Sequence, residues 1–115
     1  MASQRPRFLK EEMYQLLRVD NVKAFNIRKQ NGQTCELCGT DLRGLDLRGL
    51  DADGLDFSGC YFRDTDLRGV DLSRARLEGA SFFGCKISGA YFPPELSSDE
   101  IRLSLEHGTR VRYRT

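Results

Sequence analysis

Residues 40–59 read TDLRG LDLRG LDADG LDFSG, and residues 65–84 read TDLRG VDLSR ARLEG ASFFG. Every fifth residue from position 37 is Leu37, Leu42, Leu47, Ala52, Phe57, Phe62, Leu67, Leu72, Leu77, Phe82, Ile87 and Phe92, twelve pentads in which Ala52 alone is small. Two places before each lies a second inward-type series that includes Cys35, Thr40, Leu45, Cys60, Thr65, Val70, Ala80 and Cys85. Two places after, glycine fills nine of twelve sites, with Asp64, Arg74 and Pro94 at the others.

A period of five fits neither the 3.6 residues of a helical turn nor the alternation of a strand, so each unit must join a short extended piece to a turn. Glycine, which tolerates positive φ, marks that turn. The two apolar places flank one polar residue and therefore point to the same side, so each pentad buries two side chains. One pentad cannot bury such a face alone, whereas stacked pentads share a continuous interior.

The blocks TDLRG, LDLRG and VDLSR resemble the tandem A(D/N)LXX motif of the pentapeptide-repeat family, and the resemblance covers residues 35–94. It implies an all-β solenoid: a right-handed quadrilateral β-helix of four pentads per coil, hence three coils, with α-helical caps expected at both ends. At roughly 4.8 Å per coil such a stub rises only about 14 Å. Leu45, Leu50 and Leu55 are bulkier than the family's usual residues at their place. Leu50 reads as volume compensation for Ala52, which keeps interior density constant.

The flanks read as covers for the exposed ends of the coil. Residues 1–34 form an N-terminal helical cap: a first helix opening near Pro6 and carrying Phe8, Leu9, Met13, Leu16 and Leu17 to about Arg18, then a second carrying Val22, Phe25 and Ile27. Asp20 or Asn21 caps the second helix, and Asn31-Gly32 stops it. Pro93-Pro94 halts the repeat by withholding amide donors. In residues 95–115, Ser97 and Glu100 make a capping box ahead of Ile101, Leu103 and Leu105, and Gly108 ends that helix. The basic tail TRVRYRT then alternates Val111 and Tyr113 with Arg110, Arg112 and Arg114, as a half-buried or partner-seeking strand does.

The 115 residues are 39% hydrophobic and 30% charged with a formal charge of +1, which gives no bulk argument for direct nucleic-acid or membrane binding. No long apolar run and no secretory leader is visible, which leads us to expect a cytoplasmic protein with four reduced thiols; a bacterial source is a separate expectation. Cys35 and Cys38 form one CxxC, the candidate metal or redox site, but Cys35, Cys60 and Cys85 fall at inward places while Cys38 falls outward. The acidic string Asp51, Asp53 and Asp56 lacks the spacing of a calcium loop. The single histidine, His107, suits a helix C-terminus. With no GxSxG, phosphate-cradling loop or GxGxxG, we expect a non-catalytic protein without a cofactor.

The family's acidic solenoids resemble duplex DNA and act on DNA gyrase. Here the repeat carries 10 acids and 7 bases, and its short rise and weak charge argue against that mimicry; a short DNA-mimic modulator of DNA gyrase is the alternative, which end-to-end dimerisation would strengthen by lengthening the rod. The leading expectation is a protein-interaction or scaffold module with an unknown protein partner. Its candidate contacts are the outward aromatics Tyr61, Phe83 and Tyr91 and the tail residues Arg110, Arg112 and Arg114. Tyr61 and Phe83 share a face on adjacent coils, and for this pair the favoured expectation is that one of the terminal helices folds down over it. A homodimer through one end or through the C-terminal segment is the remaining candidate contact.

Overall fold

The structure, a computed structural model, describes residues 5–114. Its organisation follows from the hydrogen bonds of one pentad, residues 65–69. Thr65 N–H closes the preceding turn on Phe62 O at 2.9 Å. Asp66 N–H donates to Leu45 O in the rung before at 2.8 Å, while Leu67 N–H and Gly69 N–H donate to Lys86 O and Ser88 O in the rung after at 2.8 and 2.9 Å. The remaining donor, Arg68 N–H, is taken by the carboxylate of Asp66 at 3.1 Å. Backbone polar groups in a packed structure need partners, and here all five amides have one.

The same addresses recur around the chain. Parallel bridges join Asp41, Tyr61 and Ser81; Asp46, Asp66 and Lys86; Asp56 and Arg76; and Asp71 and Tyr91. Each step is twenty residues, so four pentads complete one turn of the coil, and residues 35–54, 55–74 and 75–94 make three rungs. At the corners the central residue's carbonyl accepts from the amide three residues on, as Ala52 O does from Leu55 N–H at 3.0 Å. The third residue of that turn has positive φ, 77° at Gly54, the pattern of a type II turn. Asp64 holds the same left-handed conformation at φ 60° in place of glycine.

The expected all-β class does not hold. Among the described residues there is no sheet; the longer regular elements are the helices α1 (Glu12–Arg18), α2 (Val22–Gln30) and α3 (Ser98–His107), and the coil is joined by isolated bridges. The quadrilateral β-helix inferred from the resemblance is corrected with it. The reason is geometric: each pentad reaches ladder geometry near one residue before the next corner deflects the chain, so bridges never run consecutively into strands.

The core is the inside of this coil. Leu42, Leu47, Phe57, Phe62, Leu67, Leu72, Leu77 and Phe82 are fully buried, as are Cys60 and Thr65 from the second series. Phe62 stacks on Phe82 with centroids 5.1 Å apart and meets Phe57 edge-on at 5.2 Å. Leu45, Leu50 and Leu55 all point inward around Ala52. Ile87 and Phe92, at the last two central places, are partly buried.

The first rung has no rung before it, and the N-terminal segment supplies the missing partners. Arg7 forms a parallel bridge with Thr40, and its carbonyl accepts from Asp41 N–H at 2.9 Å. Asp46 N–H and Asp51 N–H find the side chains of Asp20 and Asn26, at 2.9 and 2.8 Å. Tyr14, fully buried, donates its hydroxyl to Asp41 O at 2.7 Å. Helix α1 therefore starts at Glu12 and not near Pro6, because residue 7 is needed as an extended rung partner; Phe8 is exposed. Asn21 caps α2 by accepting from Ala24 N–H at 3.2 Å, and Ile27 is exposed where burial was expected.

At the other end, the tail and α3 cover the edge of residues 77–84. Gly79 N–H donates to Val111 O and Val111 N–H to Ala80 O, at 2.8 and 2.9 Å. Leu77 N–H finds the Tyr113 hydroxyl at 2.8 Å, and Phe82 N–H finds Ser104 Oγ at 2.8 Å. Ser104 thus occupies the buried stripe of α3, Ile101 and Leu105 flank it half-buried, and Leu103 faces solvent. Gly108 closes the helix at φ 73°.

Two stability outcomes follow. Phe62→Ala empties the centre of the aromatic stack and should cost about 3–5 kcal/mol, whereas Gly54→Ala, whose methyl group would meet no atom within 4 Å, should cost only the left-handed strain of about 1–2 kcal/mol; urea titrations distinguish them. Ser104→Ala leaves Phe82 N–H buried without an acceptor and should cost about 1–3 kcal/mol by thermal melting, more than Ser98→Ala on the exposed first turn of α3.

Candidate binding cleft

Three pentads carry the order Asp-Leu-Arg, and in each the aspartate clasps its own arginine. Asp41 accepts from Arg43 Nε and Nη2 at 3.0 and 2.6 Å, Asp46 from Arg48 at 2.9 and 2.7 Å, and Asp66 from Arg68 at 2.9 and 2.6 Å. The same carboxylate also takes the arginine's backbone N–H. The Arg68 hydrogen bonds hold the Asp66 carboxyl down to about 2. Burial works against ionisation of Asp41, but the hydrogen bonds of Arg43 outweigh it and leave that carboxyl below its ordinary range. On the face of residues 46 and 66 the cations are thereby neutralised, Arg48 also lying 3.5 Å from Asp66.

The neighbouring face departs from this rule. In rung two the order is Tyr61-Phe62-Arg63, so Arg63 has an aromatic residue where the other arginines have a carboxylate. Its guanidinium lies over the Phe83 ring, 4.7 Å from the centroid. Asp64 comes no closer than 3.8 Å to Arg63. Arg63 N–H makes no hydrogen bond among the described residues. Arg110 covers the Tyr61 ring at 4.9 Å, donates to the Tyr61 hydroxyl, and anchors on Gly79 O at 2.7 Å.

The result is a cleft of about 440 Å³ lined by Arg43, Tyr61, Arg63, Phe83 and His107, with Ser81 and Gly108 on its walls. Of the six residues singled out in the sequence, Tyr61, Phe83 and Arg110 come together here. Tyr61 and Phe83 are half-buried; the end of α3 at His107, with Gly108 and Arg110 after it, lies against them. Tyr91 lies on another face and is 67% exposed. Arg112 is held by Glu100, with Nη2 to Oε2 2.7 Å, and Arg114 donates to Pro94 O at 3.3 Å. Arg43, Arg63 and His107 were missed as cleft residues; the change from Asp-Leu-Arg to Tyr-Phe-Arg was the readable signal.

All four cysteines are free thiols. Cys60 Sγ donates to Leu37 O at 2.9 Å and Cys85 Sγ to Phe62 O at 2.8 Å, the same address that Thr65 Oγ1 uses on Leu42 O. Cys38 Sγ faces Asp56 O at 3.9 Å. Burial pushes every one of these thiols upward, Cys60 to about 11 and Cys85 to about 12. The acidic string is engaged too: Asp51 pairs with Lys29 at 3.2 Å and Asp53 with Arg74 at 3.0 Å. No set of three His, Cys, Asp or Glu residues suited to a metal ion occurs among the described residues. No helix there is long and apolar enough to cross a membrane.

The thiol shifts set a pH dependence. A thiol near its ordinary 9.0 when unfolded and near 11 when folded keeps its proton longer in the native state, so stability should decline as pH rises from 9 through 11. In the native protein, alkylation of Cys60 at pH 8 should run more than about a hundredfold slower than in the unfolded chain, because its thiolate is scarcer and its sulfur is fully buried; mass-resolved labelling with iodoacetamide measures both rates.

No curated protein and no solved structure matches the chain. The family described as Pentapeptide repeats matches in eight copies, over residues 35–64 and 60–93. The matched residues are those of the twenty-residue coil and make up half of the sequence, so the chain belongs to the pentapeptide-repeat family.

Proposed function

We propose that this protein is a non-catalytic interaction module that receives a protein partner at the basic, aromatic cleft between Arg43 and His107. The observation that supports this reading is the break in charge pairing: Arg43, Arg48 and Arg68 are clasped by the aspartates of their own pentads, whereas Arg63 and Arg110 lie over aromatic rings beside an open cleft. Aromatic and arginine side chains of this kind dominate the energetics of protein interfaces. The rigid coil holds both stacked pairs in position, so little ordering is needed on binding.

The test is affinity capture with the full chain against Tyr61→Ala/Phe83→Ala, both checked for an unchanged melting profile of the coil. A partner retained by the parent chain and by Tyr91→Ala, but lost from the double variant, is the expected result. Equal recovery on all three, or no specific recovery, overturns the reading.

A further inference from the structure

We infer that the cleft takes a carboxylate of an acidic peptide segment, and that Arg63 receives it as the clasped arginines receive their own aspartates; this rests on the interaction reading above. The repeat itself supplies the template. In residues 41–43, 46–48 and 66–68, one carboxylate satisfies three donors of a single arginine: the backbone N–H, Nε and Nη2. Such charge-assisted, bidentate pairs are the stronger class of hydrogen bond. Residue 63 carries the same three donor groups at the equivalent place, one rung from residue 43 in the twenty-residue coil, with its Nε 3.8 Å from Asp64 Oδ2. Tyr61 replaces the carboxylate, and its hydroxyl receives Arg110 instead.

Charge around the position favours an anion. Arg43 lines the cleft, and Arg110 stands over Tyr61. Against them stand Asp41, shared between Arg43 and Arg18 with the latter 3.8 Å away, and Asp64, which approaches Arg63 but does not line the cleft. The Arg63 guanidinium, 4.7 Å from the Phe83 ring centroid, offers the planar fork of donors that suits a carboxylate. An extended segment with glutamate or aspartate side chains meets these requirements.

The experiment is fluorescence anisotropy with a labelled decapeptide of glutamate and its glutamine counterpart. The parent chain should bind the glutamate peptide and not the glutamine one. Arg63→Gln should weaken binding at least about tenfold. Tyr61→Asp, which restores the intramolecular clasp, should weaken it comparably, while Arg68→Gln, on an arginine already clasped, should change it by less than about twofold. Absence of binding, equal binding of the two peptides, or an equal loss in Arg68→Gln overturns the inference. A partner captured through Tyr61 and Phe83 while the glutamate peptide fails to bind overturns this inference and leaves the interaction reading standing.

Discussion

A pentad such as residues 65–69 carries five backbone N–H donors, and in the six pentads with aspartate before the central residue that carboxylate receives the one that neither the turn nor a neighbouring rung reaches. Two of the other donors go forward to the next rung, one goes back, and one closes the corner, as residues 65–69 show. This accounting explains the motif residue by residue. The central side chain and its small partner fill the interior, glycine turns the corner with positive φ, and aspartate completes the hydrogen bonding at the surface. Each bond adds only about 1 kcal/mol net, but an amide left unpaired inside the coil costs more than that, so the pattern tolerates few exceptions.

The ends of the coil obey the same constraint. At the N-terminal edge Arg7, Asp20 and Asn26 provide acceptors at the places where a preceding rung would have offered carbonyls. At the other edge Val111, Tyr113 and Ser104 do so for residues 77–82. The flanking segments therefore act less as hydrophobic plugs than as surrogate rungs. This explains why a serine sits at the centre of the buried stripe of α3 and why residues before α1 remain extended. Edges satisfied in this way do not template further coils.

Much of the interior was readable from the sequence, because a five-residue period leaves no other arrangement that buries both apolar series. Leu67, Leu72 and Leu77 are inward as their spacing requires. The all-β class was not recoverable from the same pattern: periodicity reports which side chains point inward, not whether consecutive residues keep ladder geometry, and here the corners come too often. Tyr14, Ser104 and Asn26 were illegible because their importance lies in long-range hydrogen bonds with no local signature. The cleft was half legible. Tyr61, Phe83 and Arg110 stood out by chemistry, but the role of Arg63 emerges only when the Asp-Leu-Arg clasp is seen in three dimensions and found broken at one rung.

Amide hydrogen exchange resolved by NMR tests the five-address account most directly. Leu67 and Gly69 should exchange slowest within their pentad, Arg43 and Arg68 should be slowed by their aspartates, and Arg63 should exchange distinctly faster than either. If Leu67 and Gly69 exchange at the rate of an unfolded chain, or Arg63 is as protected as Arg68, the account is contradicted.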